Sequence, residues 1–178
     1  MDSNDIIDEE MLIASEQDMD ETALHAEVFK QPIKVLNLKK PVYVFGNASI
    51  FDVVELMRKT KEGAVLIINE DNRLEGIFTE RDLLNKIVGI VDDLKKAEVG
   101  EYMTRNPEAL ECDDMICFAL NNMHIGGYRN IPIVDRNGAP YAIINIKDVN
   151  DFLLDYFPHE INNILSAPYK GVHLRESG

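Results

Sequence analysis

The strongest constraint on this chain is an internal repeat. Residues 33–88 align with residues 99–154 at a constant offset of 66, without a gap. Only six aligned pairs are identical: Pro41/Pro107, Ile50/Ile116, Met57/Met123, Ile67/Ile133, Ile77/Ile143 and Asp82/Asp148. The hydrophobic pattern is kept far better than the residue types. Ile50, Val53, Val54 and Met57 fall at i, i+3, i+4 and i+7, and Ile116, Ala119, Leu120 and Met123 repeat those steps. This spacing puts four apolar side chains on one face of a helix, with the two methionines as core filler. A short branched run follows in each copy, at 65–68 and 131–134, which reads as a buried strand. Turn residues come next, at 69–72 and 135–138, and Asn137 followed by Gly138 is a strong hairpin signal.

A second strand is expected at 74–78 and 140–144. Thr79 and Asn145 then sit where a helix N-cap belongs, ahead of Leu83, Leu84, Ile87 and Val88 in one copy and Val149, Leu153 and Leu154 in the other. Each copy opens with a short extended piece after a proline, at 42–45 and 108–111. The unit is therefore β-α-β-β-α, twice, an α+β fold. A 56-residue unit has a marginal core alone, so the two copies are expected to pack sheet to sheet. The expected organisation is an N-terminal arm at 1–32, helical near 22–29, a first repeat at 33–88, a linker at 89–98, a second repeat at 99–158 and a tail at 159–178.

The arm is chemically distinct. The net charge is -14, yet ten acidic residues and no Lys or Arg fall within the first 29 positions. The remaining residues carry 22 acids and 18 bases, so the repeats are close to neutral. Acidity of this size argues against binding along nucleic acid or on an anionic membrane surface. It leaves room for a small anionic ligand in a local pocket. The arm reads as a solvated tail or a docking element for a basic partner. Cys112 and Cys117 form no CxxC pair, the four histidines are scattered, and no metal site is expected. No apolar run reaches membrane-spanning length, and the first residues lack a signal-peptide pattern, so a cytoplasmic location is expected. There is no GxSxG elbow and no Walker loop, and a catalytic role is not expected.

Three runs carry a resemblance: GIFTERD at 76–82, YMTRNP at 102–107 and GGYRNIPIVD at 126–135. With the duplicated unit, they resemble a tandem pair of cystathionine-beta-synthase (CBS) domains, a Bateman module, over about residues 33–158. The resemblance implies a pseudo-twofold pair with two clefts between the repeats. It also implies adenosine ligands, among them AMP, ADP, ATP and S-adenosylmethionine, and a regulatory role. It implies a homodimer too, and a regulated protein partner. No effector domain accompanies the pair in this sequence.

The family pattern Gly-h-h-Ser/Thr-x-x-Asp (h apolar) transfers onto Thr79 and Asp82. Asp82 would take the ribose hydroxyls, and Thr79 would lie near phosphate at a helix start, where N–H groups favour an anion. Arg81 falls within the same run. The facing segment supplies Gly127, Tyr128, Arg129, Asn130, Ile131 and Pro132. There the Arg129 guanidinium is the best phosphate partner, Asn130, Ile131 and Pro132 would line an adenine slot, and Thr104 would close one edge. The second cleft would use Asn145, Lys147 and Asp148 against Gly63, Ala64, Val65 and Leu66. It departs from the pattern: Asn145 replaces Ser/Thr, Ala142 replaces Gly, and Glu62 and Gly63 stand where the other copy has Tyr128 and Arg129. A carboxylate near phosphate is unfavourable, so this is the weaker cleft. Thr79 with Asp82, and Asn145 with Asp148, also have a purely structural reading as helix caps. A scaffold with vestigial clefts, acting through a dimer surface or the acidic arm, is the alternative to a nucleotide sensor.

Overall fold

The computed structural model describes residues 27–157. The tail at 159–178 and nearly all of the acidic arm lie outside these residues. The first repeat contains β1 (Tyr43–Phe45), α1 (Ile50–Thr60), β2 (Ala64–Ile68) and β3 (Leu74–Thr79). Next comes α2, a short helix at Glu80–Asp82 that continues as a π-helical turn at Leu83–Ile87. A helical turn α3 (Val99–Tyr102) and strand β4 (Thr104–Arg105) lead into the second repeat. That repeat is β5 (Leu110–Glu111), α4 (Ile116–Gly126), β6 (Asn130–Val134), β7 (Pro140–Asn145) and α5 (Ile146–Tyr156). The fold is α+β, with one sheet ordered β1-β2-β3-β4 and another ordered β5-β6-β7.

The 66-residue offset survives in the hydrogen-bonded register. In the first hairpin Ala64 pairs with Thr79 and Ile68 with Leu74, with an irregularity between Ile67 and Ile68. In the second, Asn130 pairs with Asn145 and Val134 with Pro140, and the irregularity falls between Ile133 and Val134. The parallel pairs agree as well: Val44 opposes Ile67, and Leu110 opposes Ile133. Helices α1 and α4 end the same way, at Lys61 with φ 59° and Gly127 with φ 64°. Only the second of these left-handed caps has the residue suited to it, since a Cβ disfavours that conformation.

Cross-packing of the leading segments is what the repeat did not reveal. Ile33 and Leu36 open the first repeat but are buried in the core of the second, beside Ile116, Met123, Ile131 and Val149. Val99 and Met103 open the second repeat but are buried in the core of the first, beside Ile50, Met57, Phe78 and Ile87. The backbone repeats the exchange bond for bond. Ile33 N donates to Asp114 O at 2.8 Å, and Val99 N donates to Ala48 O at 2.9 Å. Ile116 N donates to Gln31 O, and Ile50 N to Ala97 O, both at 2.9 Å. Residues 27–32 thus do not behave as a free arm: Val28 is fully buried and Gln31 is hydrogen-bonded to the second repeat.

Between the sheets lies a third cluster of Ala64, Leu66, Ile77 and Ile143, with Leu74 packed against it. Leu74 N also donates to Gly138 O across the repeats, at 2.9 Å. The sheets therefore face each other, and the clefts open where this contact ends. One expected helix face is altered. In the π turn the Val88 N–H reaches back five residues to Leu83 O, at 3.0 Å. The wider turn shifts the following positions around the axis. Ile87 is buried, while Leu84 and Val88 are 67% and 60% exposed. Both cysteines are free thiols, and no helix among the described residues is long and apolar enough to cross a membrane.

Candidate functional site

A cavity of about 410 Å³ lies between the repeats. Its walls come from three stretches of chain. The end of β3 and the start of α2 supply Ile77, Thr79, Glu80, Arg81 and Asp82, with Gly63 beside them. The crossing segment supplies Thr104, Asn106, Pro107 and Glu108. The facing repeat supplies Gly126, Tyr128, Arg129 and Asn130. A volume of this size suits a small organic ligand.

Thr79 and Asp82 are locked together. Thr79 caps α2 and, with Asp82, closes a capping box. Asp82 Oδ2 accepts from Thr79 N at 3.0 Å and from Thr79 Oγ1 at 2.7 Å. Its Oδ1 meets Lys86 Nζ at 2.7 Å, one helical turn on. Lys86 in turn donates to Tyr102 O at 2.7 Å, which ties the helix to the crossing segment. Asp82 is only 9% exposed, so its carboxylate is fixed at the cavity wall, with Oδ2 filled by Thr79 and a lone pair left on Oδ1. Regular α-helix after Thr79 lasts three residues before the π turn. A helix dipole is therefore a small contributor here, and the cationic side chains provide the positive charge.

Those cations are Arg81 and Arg129. Arg81 Nη1 donates to Gly127 O at 2.8 Å, reaching from the first repeat to the second. A carbonyl oxygen does not neutralise a guanidinium. Arg129 has no ion-pair or hydrogen-bond partner for its side chain among the described residues. Two guanidiniums without carboxylate partners among the described residues thus share a cavity with the carboxylates of Glu80, Asp82 and Glu108. Opposite them, the Tyr128 hydroxyl donates to Glu108 Oε2. Burial first, then the bond to Glu108, push the Tyr128 phenol up to about 12. Gly126 makes room for this arrangement, since a Cβ there would overlap the Tyr128 ring.

Of the residues singled out from the sequence, Thr79, Arg81, Asp82, Thr104, Tyr128, Arg129 and Asn130 line this cavity. Ile131 and Pro132 do not. Alternation along β6 turns Ile131 into the second core, where it is fully buried, and Pro132 is buried opposite Ile143. Gly127 contributes its carbonyl to Arg81 and lines a separate shallow hollow with Leu120, Met123 and His124. Gly63, assigned to the second cleft from sequence, lines the first, because Ala64 pairs with Thr79. Glu80, Asn106, Pro107, Glu108 and Gly126 were not singled out. The strand opposite β3, read four residues past Thr104, to Glu108, would have found three of them.

At the second cleft the same frame is differently furnished. Asn145 caps α5 in a capping box with Asp148, matching Thr79 and Asp82. Asp148 is 9% exposed, but its Oδ1 meets Lys39 Nζ at 3.1 Å. Lys39 is placed there by a bridge to Ile143 at the edge of β7. Lys147 turns away to Asp151 at 2.6 Å. Ala64 and Leu66 are consumed in the contact between sheets, and Val65 lies in the first core. No cluster of metal-ligating side chains occurs among the described residues.

A family model described as CBS domain matches residues 34–91 and again residues 99–155. An uncharacterized 17.7 kDa protein of Acidianus ambivalens is 33% identical over 115 residues, covering 64% of this chain and 68% of that one. The CBS domain-containing protein CBSCBSPB5 of Arabidopsis thaliana is 29% identical over 117 residues, 66% of this chain. The match takes in about a fifth of that relative, 21% of its length. Among solved structures, the CBS domain pair of protein MJ0100 in complex with 5'-methylthioadenosine and S-adenosyl-L-methionine has a TM-score of 0.63 at 22% identity, covering 70% of this chain and 97% of that one. CBSX2 in complex with AMP also gives 0.63, at 20% identity, over 70% and 97%. At these identities the two structures speak for the fold.

Proposed function

Because the chain belongs to the CBS-domain family, we propose that it is a regulatory module that binds one adenosine ligand in the cavity between its repeats. The observation that carries the proposal is the pair of guanidiniums, Arg81 and Arg129, free of carboxylate partners among the described residues, beside the buried carboxylate of Asp82. In this reading Asp82 accepts from the ribose hydroxyls, and Arg129 and Arg81 take the phosphate. AMP, ADP, ATP and S-adenosylmethionine are the candidate ligands. Related pairs hold AMP, S-adenosylmethionine or 5'-methylthioadenosine, which supports the class. Phosphate binding would draw Arg81 off the Gly127 carbonyl, and so convert occupancy into a change between repeats. The role is binding and signalling in the cytoplasm, towards a regulated protein partner, with no catalytic step.

Calorimetry and thermal shift with the four ligands test this. A ligand at a hundred times its Kd adds about 2.7 kcal/mol to stability, read as a higher Tm. No response to any of them at millimolar concentration overturns the proposal.

A second reading is a scaffold that acts through its surface. It is favoured by the apolar side chains left exposed on the helices, among them Leu84, Val88, Phe118 and Ile125, the last 75% exposed. The same side chains would form the expected homodimer contact. Light scattering separates a dimer from the 20.2 kDa monomer. Deleting residues 1–26 tests the arm: loss of partner capture with an intact ligand response would divide the two roles.

A further inference from the structure

Glu108 has no task in holding ribose or phosphate, yet it stands in the cavity wall. Its place follows from strand register, and its role is considered within the nucleotide reading above. Thr104 pairs with Ile77 and Arg105 with Gly76, antiparallel. Asn106 N then donates to Glu75 O at 2.9 Å. The chain therefore runs from the Thr79 end of β3 back towards its start, at about 3.3 Å per residue. Asn106, Pro107 and Glu108 lie on the side of the cavity away from the Asp82 carboxylate. With ribose on Asp82 and phosphate on the two guanidiniums, this is the side left for the base. Tyr128 spans the gap, with its backbone next to Arg129 and its hydroxyl on Glu108.

The chemistry of that contact is specific. Tyr128 occupies Glu108 Oε2 as a donor, while Oε1 has no hydrogen-bond or ion-pair partner among the described residues. An ionised carboxylate accepts hydrogen bonds and cannot donate them. With its phenol held up at about 12, Tyr128 remains a donor at neutral pH and fixes the carboxylate's orientation.

We propose that Glu108 selects the base: its Oε1 accepts from the exocyclic amino group of a 6-aminopurine and excludes a 6-oxopurine. An O6 atom facing this carboxylate would leave two acceptors opposed with no proton between them, which is unfavourable in a confined site. Tyr128 is the positioning residue. No cation among the described residues is paired with Glu108 to blunt the effect.

The test is a set of affinities for AMP, IMP and GMP, measured by calorimetry on the full chain and on Glu108→Gln and Tyr128→Phe. The wild type is expected to prefer AMP over IMP by roughly 10- to 100-fold. Glu108→Gln, whose amide presents an N–H to O6, should bring the two within about threefold. Tyr128→Phe should narrow the ratio less, because the carboxylate is retained but loses its orientation. A structural role alone would weaken AMP and IMP together and leave their ratio fixed; an unchanged ratio in Glu108→Gln overturns the proposal. IMP offers its N1 proton, and GMP its N1 and N2 protons, to a carboxylate, and tighter binding of either than AMP overturns the 6-amino assignment. If none of the three binds the wild type, the proposal for Glu108 fails; the adenosine reading fails with it only when ADP, ATP and S-adenosylmethionine also give no response, and both results are distinct from binding without selectivity.

Discussion

Asp82 and Asp148 occupy the same place in two superposable frames, and they meet different cations. Asp82 is paired with Lys86, from its own helical turn. At the position of Lys86 the second repeat has Phe152, and Asp148 is instead paired with Lys39, from the segment that leads into the first repeat. The counterpart of Lys39 is Arg105, which turns to Glu75 and to Gly100 O, both at 2.9 Å. The facing segments differ as much: Tyr128 and Arg129 in one cleft, Glu62 and Gly63 at the equivalent positions of the other. Backbone register is held by apolar alternation, which tolerates almost any residue on the outward face. The chemistry of a cleft resides on that face, and so the two clefts have separated while the hairpins have not.

The frame shared by the two clefts depends on the crossed leading segments. Ile33→Ala, well outside the aligned hairpins, should lower stability by about 2–5 kcal/mol, because the side chain is fully buried in the second core. Urea denaturation reads the loss, and an effect below 0.5 kcal/mol would mean the exchange of segments is not structural. The next largest effect contrasts the two aspartates. Asp82→Ala should weaken the adenosine ligand by about 100-fold, as expected for losing hydrogen bonds to a charged acceptor. Asp148→Ala should leave that affinity within about twofold, since the sites are independent. Equal losses in calorimetry would erase the distinction between clefts.

Arg129→Ala sharpens the contrast by ligand charge. AMP should bind about tenfold more weakly, while 5'-methylthioadenosine, which carries no phosphate, should bind nearly unchanged. Equal weakening of both would place the guanidinium on the base or ribose. The smallest effect belongs to Lys39→Met. Lys39 is 47% exposed at its side chain, so solvent screening limits its loss to about 1 kcal/mol of stability. The first cleft should not respond. Native mass spectrometry decides what Lys39 does at the second: one bound nucleotide per chain before and after means the freed Asp148 carboxylate does not make a second site, and a second equivalent in the variant means Lys39 was masking a ribose acceptor.

The hairpins, their register and both capping residues were legible because each is a local pattern: alternation, turn residues and a polar cap before an apolar run. The π turn after Asp82 was not, since Leu83, Leu84, Ile87 and Val88 fit an ordinary helix face equally well. Ile131 and Pro132 were drawn into the site by adjacency, although alternation from Asn130 already turned Ile131 inward. The exchange of Ile33 for Val99 was hidden for a different reason. Both residues are apolar at the right offset, and a repeat shows only that two positions are equivalent. It does not show which copy each one serves. Glu108 escaped notice because nothing local marks a carboxylate after a proline as part of a cleft; only the β3–β4 pairing brings it there.

The crossed leading segments also set an order of events during synthesis. Ile33 and Ile116 share one core though roughly 80 residues separate them in the chain. At about 5–20 residues per second, a ribosome needs roughly 4–16 seconds to travel from one to the other. For that interval Ile33 and Leu36 lack the core they bury in. The first hairpin, too, waits for Val99 and Met103 to emerge behind it before its core is closed. The segment made first is therefore buried last, and the nascent chain carries exposed apolar side chains until its second half arrives. Long-range closure of this kind slows folding, and it ties the completion of each core to the leading segment of the other repeat.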